Sequence, residues 1–291
     1  MQTEVVDDST QFGNLAICNL QSSIYNPMVL RSPVAITRAV SPALASCELT
    51  HQERVPIDVA RAGAQHHLYL GALTDAGYRV EQLDSTGEMP DSVFVEDIAV
   101  VFDELAVVTR PGAASRRAEM AAVAEALAVY RPLSFIKEPG TIDGGDVLVA
   151  GKRVFIGRST RTNADAVAQM RRLLSPLGYV VCEVAIDDCL HLKSAVTTID
   201  EQTLLLNPAW IAPVAFRDFE IVTVDDREPH AANALRLRDR IVMASAYPRT
   251  AERVAARGLQ VVTVDASELA KAEGAVTCCS LIIEPRATSG D

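Results

Sequence analysis

Ala275-Val276-Thr277-Cys278-Cys279-Ser280-Leu281-Ile282-Ile283 is the last apolar run of the chain, and its reading decides the fold. Two adjacent cysteines flanked by hydroxyl residues open a series of β-formers, which predicts a buried strand. Neighbouring side chains of an extended strand point to opposite faces. One cysteine therefore faces an interior and the other faces the strand's mouth. A buried strand needs partners, and the chain before it must supply them.

From Val34 onward the pattern repeats in the order strand, strand, helix, strand. The first unit has a strand at 34–39, an irregular stretch at 40–55, a helix from about Asp58 to Ala76 and a strand at 78–83. Asp58 is placed to cap that helix and Gly77 to stop it. The second unit has strands at 99–102 and 105–109, a helix at 115–130 and a strand at 133–136. The third has strands at 147–150 and 153–157, a helix at 163–174 and a strand at 179–184. The fourth runs through 195–199, 203–207, a short helical piece at 208–216 and 220–224. The fifth runs through 234–237, 240–244, a helix at 249–257 and 260–264.

The cysteine strand then completes the first unit and closes a ring. Five ββαβ units at a spacing of roughly fifty residues predict radial repetition, which removes exposed sheet edges. A doubly wound sheet is the alternative, but it places a helix between consecutive strands, and here strand pairs recur. The expected organisation is an arm over 1–33, one propeller domain over 34–285 and a tail over 286–291.

With 291 residues, about half of them hydrophobic, the chain can bury a sizeable core. Its net charge of −11 argues against nucleic acid, which selects basic faces, and creates a field that is not hostile to cationic small molecules. Six cysteines follow no CxxC spacing, and a vicinal pair is a poor zinc pattern. The N-terminal residues are acidic and lack the core of a signal peptide. No apolar run approaches the ~20 residues that span a membrane. A reducing cytoplasm, free thiols, no metal and no cofactor are expected.

Chemically capable residues collect just before the first strand of each unit. They are Asp91, Glu96 and Asp97 around Phe94, then Asp143 and Asp146 with two glycines between, then His191, then His230 to Asn233, and finally Thr277-Cys278. Radial symmetry brings equivalent positions to one end of the axis, so carboxylates, an imidazole and a thiol converge. Acids at an apolar strand entry risk costly burial unless a cation meets them. A guanidinium fits best, because its planar fork satisfies two acceptors at once. A histidine beside a cysteine suits an activated thiol or acid–base work. Asp143-Gly144-Gly145-Asp146 reads either as a tight turn or as backbone approaching a ligand. Arg116 and Arg161 begin helices, where a cation opposes the macrodipole and calls for an anion partner.

These strings resemble dimethylarginine dimethylaminohydrolase, a member of the pentein group of guanidine-modifying enzymes. The likeness runs from about Val34 to Glu284. It rests on Asp58-Val59-Ala60-Arg61-Ala62, Pro90 through Asp97, Thr109-Arg110-Pro111-Gly112-Ala113 and Asp143-Gly144-Gly145-Asp146-Val147. Arg161-Thr162-Asn163, His191-Leu192-Lys193-Ser194, Ala231-Ala232-Asn233 and Val276 through Ser280 complete it. The resemblance implies a five-bladed α/β propeller that hydrolyses N-ω-methylated arginines to citrulline and a methylamine.

It implies Cys278 as nucleophile, His191 as general acid and base, and Asp143 as the acid that positions the histidine. Asp91, Glu96 and Asp97 would surround the guanidinium beside Phe94, and Arg116 and Arg161 would take the α-carboxylate. Val40 to Val55 would be a mobile lid with Leu49 over the substrate, and Glu273 would face the α-amino group. Glu273 stands where many relatives have Asp, and the lid residues Ala45-Ser46-Cys47-Glu48 also depart from the pattern. The expected partner is the small-molecule substrate alone, with no nucleic acid or membrane, on a monomer or homodimer. Arginine deiminase is the nearest alternative, an amidinotransferase would be longer, and a silent arginine-binding protein has no need of Cys278, His191 and Asp143 together.

Overall fold

The computed structural model describes residues 32–85 and 87–286. Apart from residues 32, 33 and 286, the expected arm and tail lie outside the described residues, as does Cys18. Five three-stranded sheets form, each with an antiparallel inner pair and a parallel outer pair. The second to fifth are β3 (Ala99–Val101), β4 (Ala106–Val108) and β5 (Leu133–Phe135); β6 (Val147–Ala150), β7 (Arg153–Arg158) and β8 (Val180–Ala185); β9 (Val196–Thr198), β10 (Thr203–Leu206) and β11 (Glu220–Thr223); and β12 (Ala234–Leu237), β13 (Arg240–Ala244) and β14 (Gln260–Val264).

The first sheet is assembled from both ends of the described chain. β1 (Val34–Arg38) pairs in parallel with β2 (Arg79–Leu83), and β15 (Leu281–Ile283) pairs antiparallel with β1, placing Ile283 opposite Val34. Helices cross between the second and third strand of a unit because parallel neighbours need a crossover. They include α1 (Val59–Asp75), α2 (Met120–Ala128), α3 (Ala164–Leu174) and α4 (Pro248–Ala255). The Asp58 side chain accepts from the Arg61 amide at 3.0 Å, the expected cap, worth about 1 kcal/mol.

Closure of the ring follows from where the apolar side chains meet. Val34, Ile36, Leu281 and Ile283 pack with Val95, Ile98 and Ala106 at the junction of the first and second blades. Val107 meets Val147 and Ile156 at the next junction, Leu148 and Phe155 meet Val196 and Leu204, and Leu205 meets Ile241 and Met243. Ala35, Leu44 and Leu73 meet Leu235 and Val242, so the fifth blade returns to the first. Every blade thus buries both faces, at roughly 1.5–3 kcal/mol per fully buried aliphatic side chain. All five inner strands line a cavity of about 200 Å3 on the axis.

The expected helix at 115–130 divides into a 3-10 turn over Ala114–Glu119 and α2. In a 3-10 turn residues i and i+3 eclipse, which suits the buried Arg116–Glu119 pair. A four-residue helix at Ser267–Ala270 was not expected. It is held from outside, since Gln65 Oε1 accepts from the Glu268 amide and Glu268 Oε2 from the Asp58 amide.

Candidate active site

One-turn helices precede the inner strands and carry the chemistry. They are Val95–Ile98, Gly144–Asp146, Leu192–Ala195, Pro229–Ala232 and Thr277–Cys279. The last corrects the sequence reading, because the cysteines lie in a 3-10 turn and the strand begins only at Leu281. Val276 has φ −67° and ψ −32°, and the Cys278 amide donates to Ala275 O at 3.3 Å, so the chain is still coiled there. Successive residues of such a turn diverge by about 120° rather than 180°. Cys279 is buried in the apolar core and its thiol meets Ala275 O at 3.5 Å, whereas Cys278 lines a pocket.

Burial pushes the Cys278 thiol up to about 12, and the Glu96 and Asp97 charges add to the shift, with Lys193 opposing it. His191 precedes the Leu192–Ala195 helix as its cap residue. Its Nε2 lies 3.1 Å from Asp143 Oδ2 and its Nδ1 lies 3.8 Å from Asp97 Oδ1. Burial opposes a charge on this ring, but Asp97, Asp143 and Asp146 outweigh it and raise its pKa to about 9. Asp143 is itself held by the Gly112 amide, which donates to Oδ1 at 2.9 Å.

The double glycine is settled by close approach. A Cβ on Gly144 would fall 2.0 Å from Glu96 O, and one on Gly145 would fall 2.6 Å from His191 Nδ1 and 2.8 Å from Asp97 Oδ1. Glycine is therefore what lets the turn lie against both acids and the imidazole, and the Gly145 amide donates to Asp97 Oδ1 at 3.0 Å. Asp146 is raised to about 6 by burial; it takes the Leu192 amide at 3.1 Å and the Ser159 and Thr162 hydroxyls, fixing the start of the histidine's helix.

Arg116 is buried, and the anion demanded by its position is the protein's own. NH1 donates to Asp97 Oδ2 at 2.5 Å, NH2 to Glu119 Oε2 at 2.8 Å and Nε to Glu119 Oε1 at 3.1 Å, while NH2 also serves the Phe94 and Asp91 carbonyls. Burial disfavours charge on Asp97, yet His191, Arg116 and the Gly145 amide hold its pKa below the ordinary carboxylate value. Asp97, Asp143 and His191 offer donor atoms within 4.8 Å of one another, the spacing of a cation site. Each already has a protein partner there. Glu96 divides its two oxygens between Lys193 Nζ, at 2.5 Å, and the Thr277 hydroxyl, at 2.8 Å.

The roof is made of backbone. Both oxygens of Asp91 accept from the Glu48 amide, at 3.1 and 3.2 Å, and burial lifts this acid to about 6. Glu273 occupies a left-handed conformation, φ 58°, and its carboxylate takes the amides of Thr50, His51 and Gln52 at 2.9, 2.5 and 2.6 Å. Arg161 is half-buried, with NH2 3.0 Å from Thr50 Oγ1.

Asp91, Phe94, Asp97, Arg116, Asp143, Arg161, His191, Glu273 and Cys278 line one cavity of about 30 Å3 under this roof. Two of the expected residues lie elsewhere. Glu96 lines the axial cavity, and Leu49 rests half-buried on the apolar cluster between the fifth and first blades. Lys193, Asn233 and Thr277 belong to the same framework, and the sequence reading, which met them only within the stretches before inner strands, gave none of them a role. Their one available mark was their place, directly before inner strands.

The chain matches the family model described as N,N dimethylarginine dimethylhydrolase, eukaryotic, over residues 48–284. It is 43% identical to an N(G),N(G)-dimethylarginine dimethylaminohydrolase of Streptomyces coelicolor over 86% of this chain and 96% of the relative. It is 36% identical to that of Pseudomonas aeruginosa over 77% of this chain and 89% of the relative. A solved dimethylarginine dimethylaminohydrolase adduct with S-methyl-L-thiocitrulline superposes with a TM-score of 0.83 at 34% identity, covering 87% of this chain and 100% of that one. The N-terminal domain of a cyanobacterial arginine dihydrolase shares the fold, with a TM-score of 0.78 at 19% identity over 88% of this chain and 100% of that domain. This chain belongs to the dimethylarginine dimethylaminohydrolase family.

Proposed function

We propose that this protein hydrolyses N-ω-methylated arginines to citrulline and a methylamine. The observation that carries the reading is one small pocket holding a thiol, a carboxylate-backed imidazole, further acids and the half-buried guanidinium of Arg161. Acids on one side suit a guanidinium, and Arg161 suits a carboxylate, since Arg116 is already paired with Asp97 and Glu119. A zwitterionic arginine derivative matches both.

In the reaction, Cys278 sulfur bonds to the central guanidinium carbon. His191, protonated with a pKa near 9, gives its proton to the methylated nitrogen. The C–N bond then breaks and the amine leaves, giving an S-alkylthiouronium on Cys278. Neutral His191 takes a proton from water as the water oxygen bonds to the same carbon. Cleavage of the C–S bond releases citrulline and restores the thiol. The free thiol is almost wholly protonated at neutral pH, so the cationic substrate supplies the field that releases its proton to solvent. The hydroxyl proton of the collapsing water adduct returns to the sulfur when the C–S bond breaks.

Asp143 holds the imidazole. Asp91 and Asp97 flank the guanidinium with Phe94 alongside, Glu96 acts on the thiol from the axial side, Leu49 and Glu273 belong to the cover, and neither metal nor cofactor enters any step. The pocket's residues all lie on one chain, so a monomer would carry the reaction. No helix of the described residues is long and apolar enough to cross a membrane. The deciding experiment measures citrulline release from arginine and its monomethyl and dimethyl forms. Turnover of dimethylarginine supports the reading, and turnover of arginine alone replaces it with deiminase activity.

A further inference from the structure

Asn233 is buried where turns from different blades meet, and its amide makes three hydrogen bonds there. Nδ2 donates to the Thr277 hydroxyl at 2.9 Å and to the Lys193 carbonyl at 3.1 Å, and Oδ1 accepts from the Thr277 amide at 3.0 Å. The Thr277 hydroxyl has one proton, and it goes to Glu96 Oε2 at 2.8 Å. Thr277 Oγ1 must therefore accept from Asn233, which fixes the amide with its NH2 group toward Thr277 Oγ1 and its oxygen toward the Thr277 amide. Lys193 Nζ closes the ring on Glu96 Oε1.

Position along the chain gives this ring its meaning. Thr277 immediately precedes Cys278, and Lys193 follows His191 by two residues in the helix that His191 caps. One side-chain amide thus ties the thiol's turn to the imidazole's helix, and one hydroxyl carries the tie onward to Glu96. Glu96 heads the charges that act on the Cys278 thiol. We propose that Asn233 and Thr277 are positioning residues of the reaction, which together set Cys278 against His191 and aim the Glu96 carboxylate. The proposal rests on the hydrolytic reading of the pocket given above.

A group held this way needs its particular atoms. Valine at 277 keeps the shape and the amide contact but leaves Glu96 Oε2 and Asn233 Nδ2 without their shared partner. Serine keeps the hydroxyl. Aspartate at 233 keeps the acceptor for the Thr277 amide but has no proton for the hydroxyl or for Lys193 O, which reverses the ring's polarity beside Glu96.

Steady-state kinetics on dimethylarginine with wild type, T277V, T277S, N233D and the T277V/N233D double variant, with Tm for each, test this. The expected result is a kcat lower by about 10- to 100-fold in T277V and N233D, the cost of a displacement of roughly 1 Å, with KM changed far less. T277S should stay within about 3-fold of wild type. The double variant should be little worse than the worse single one, because the two residues act as a unit. Should N233D fail to fold, the serine and valine variants at 277 still decide the matter.

The proposal is overturned if T277V keeps its kcat, if serine fails to preserve activity while T277S retains the wild-type Tm, or if the single losses multiply. Failure of the underlying reading looks different. There, the wild type itself releases no citrulline from methylated arginines, and the comparison is run on arginine. Release from neither would overturn both.

Discussion

The floor and the roof of the pocket are built on opposite principles. The floor joins buried side chains from all five blades through Asp97–Arg116–Glu119, Asp143–His191 and Glu96–Thr277–Asn233. The roof hangs by its backbone amides from two carboxylates, Asp91 and Glu273, along a stretch whose residues are mostly exposed. Buried and multiply bonded groups keep their geometry, while exposed contacts open at little cost. Such a division gives fixed chemistry below and substrate passage above.

Substitutions can break this contrast. C278S should lower citrulline release by roughly 10^4-fold or more while ligand binding, followed by calorimetry, persists. Equal loss in C279S would assign the chemistry to the wrong member of the pair. Replacing the base in H191N should reduce kcat by about 10²- to 10⁴-fold.

The same variant sharpens the electrostatic side of the floor. An ordinary histidine titrates near 6.5, and His191 is raised to about 9, so its charged form stabilises the fold. That contribution is complete below about 6.5 and is lost as pH rises through 9. Asp91 and Asp146, raised to about 6, have largely finished titrating by pH 7. Wild-type Tm should therefore fall between pH 7 and 9 more steeply than that of H191N. Parallel curves would remove the charged imidazole from the floor.

Roof variants should act on a different quantity. E273A removes the acceptor for three amides, so KM should rise several-fold with kcat little changed, and hydrogen exchange at residues 50–52 should quicken. A kcat loss as large as that of H191N would erase the distinction between the two layers. The smallest effect concerns metal. Because Asp97, Asp143 and His191 are already paired with protein groups, exhaustive chelation should leave activity unchanged.

Much of this architecture is legible in the chain. The strands Val34–Arg38 and Arg240–Ala244 contain the apolar runs Val34-Ala35-Ile36 and Ile241-Val242-Met243-Ala244, and Asp58 and Asn163 cap helices by rules that act over three residues. The one-turn helices were hidden because three or four residues carry no period, and their coiling comes from contacts made far along the chain. Thr277–Cys279 reads as the start of a strand until Asn233 Oδ1 is seen holding the Thr277 amide. Arg116 illustrates the same limit. Its need for an anion follows from its place in the sequence, but Asp97 and Glu119 could be matched to it only in three dimensions. Glu273 was expected at the substrate's ammonium, and its left-handed backbone instead presents the carboxylate to the roof.

Pairing β15 with β1 also orders events in time. During synthesis the second to fifth sheets have all their strands before Leu281–Ile283 emerges, and domains begin to fold as chain becomes available. The thiol turn is thus the last part of the pocket in chain order, after the imidazole and the acids. Under the proposed reaction, the turn that bears the nucleophile would join the pocket only through the last strand of the ring.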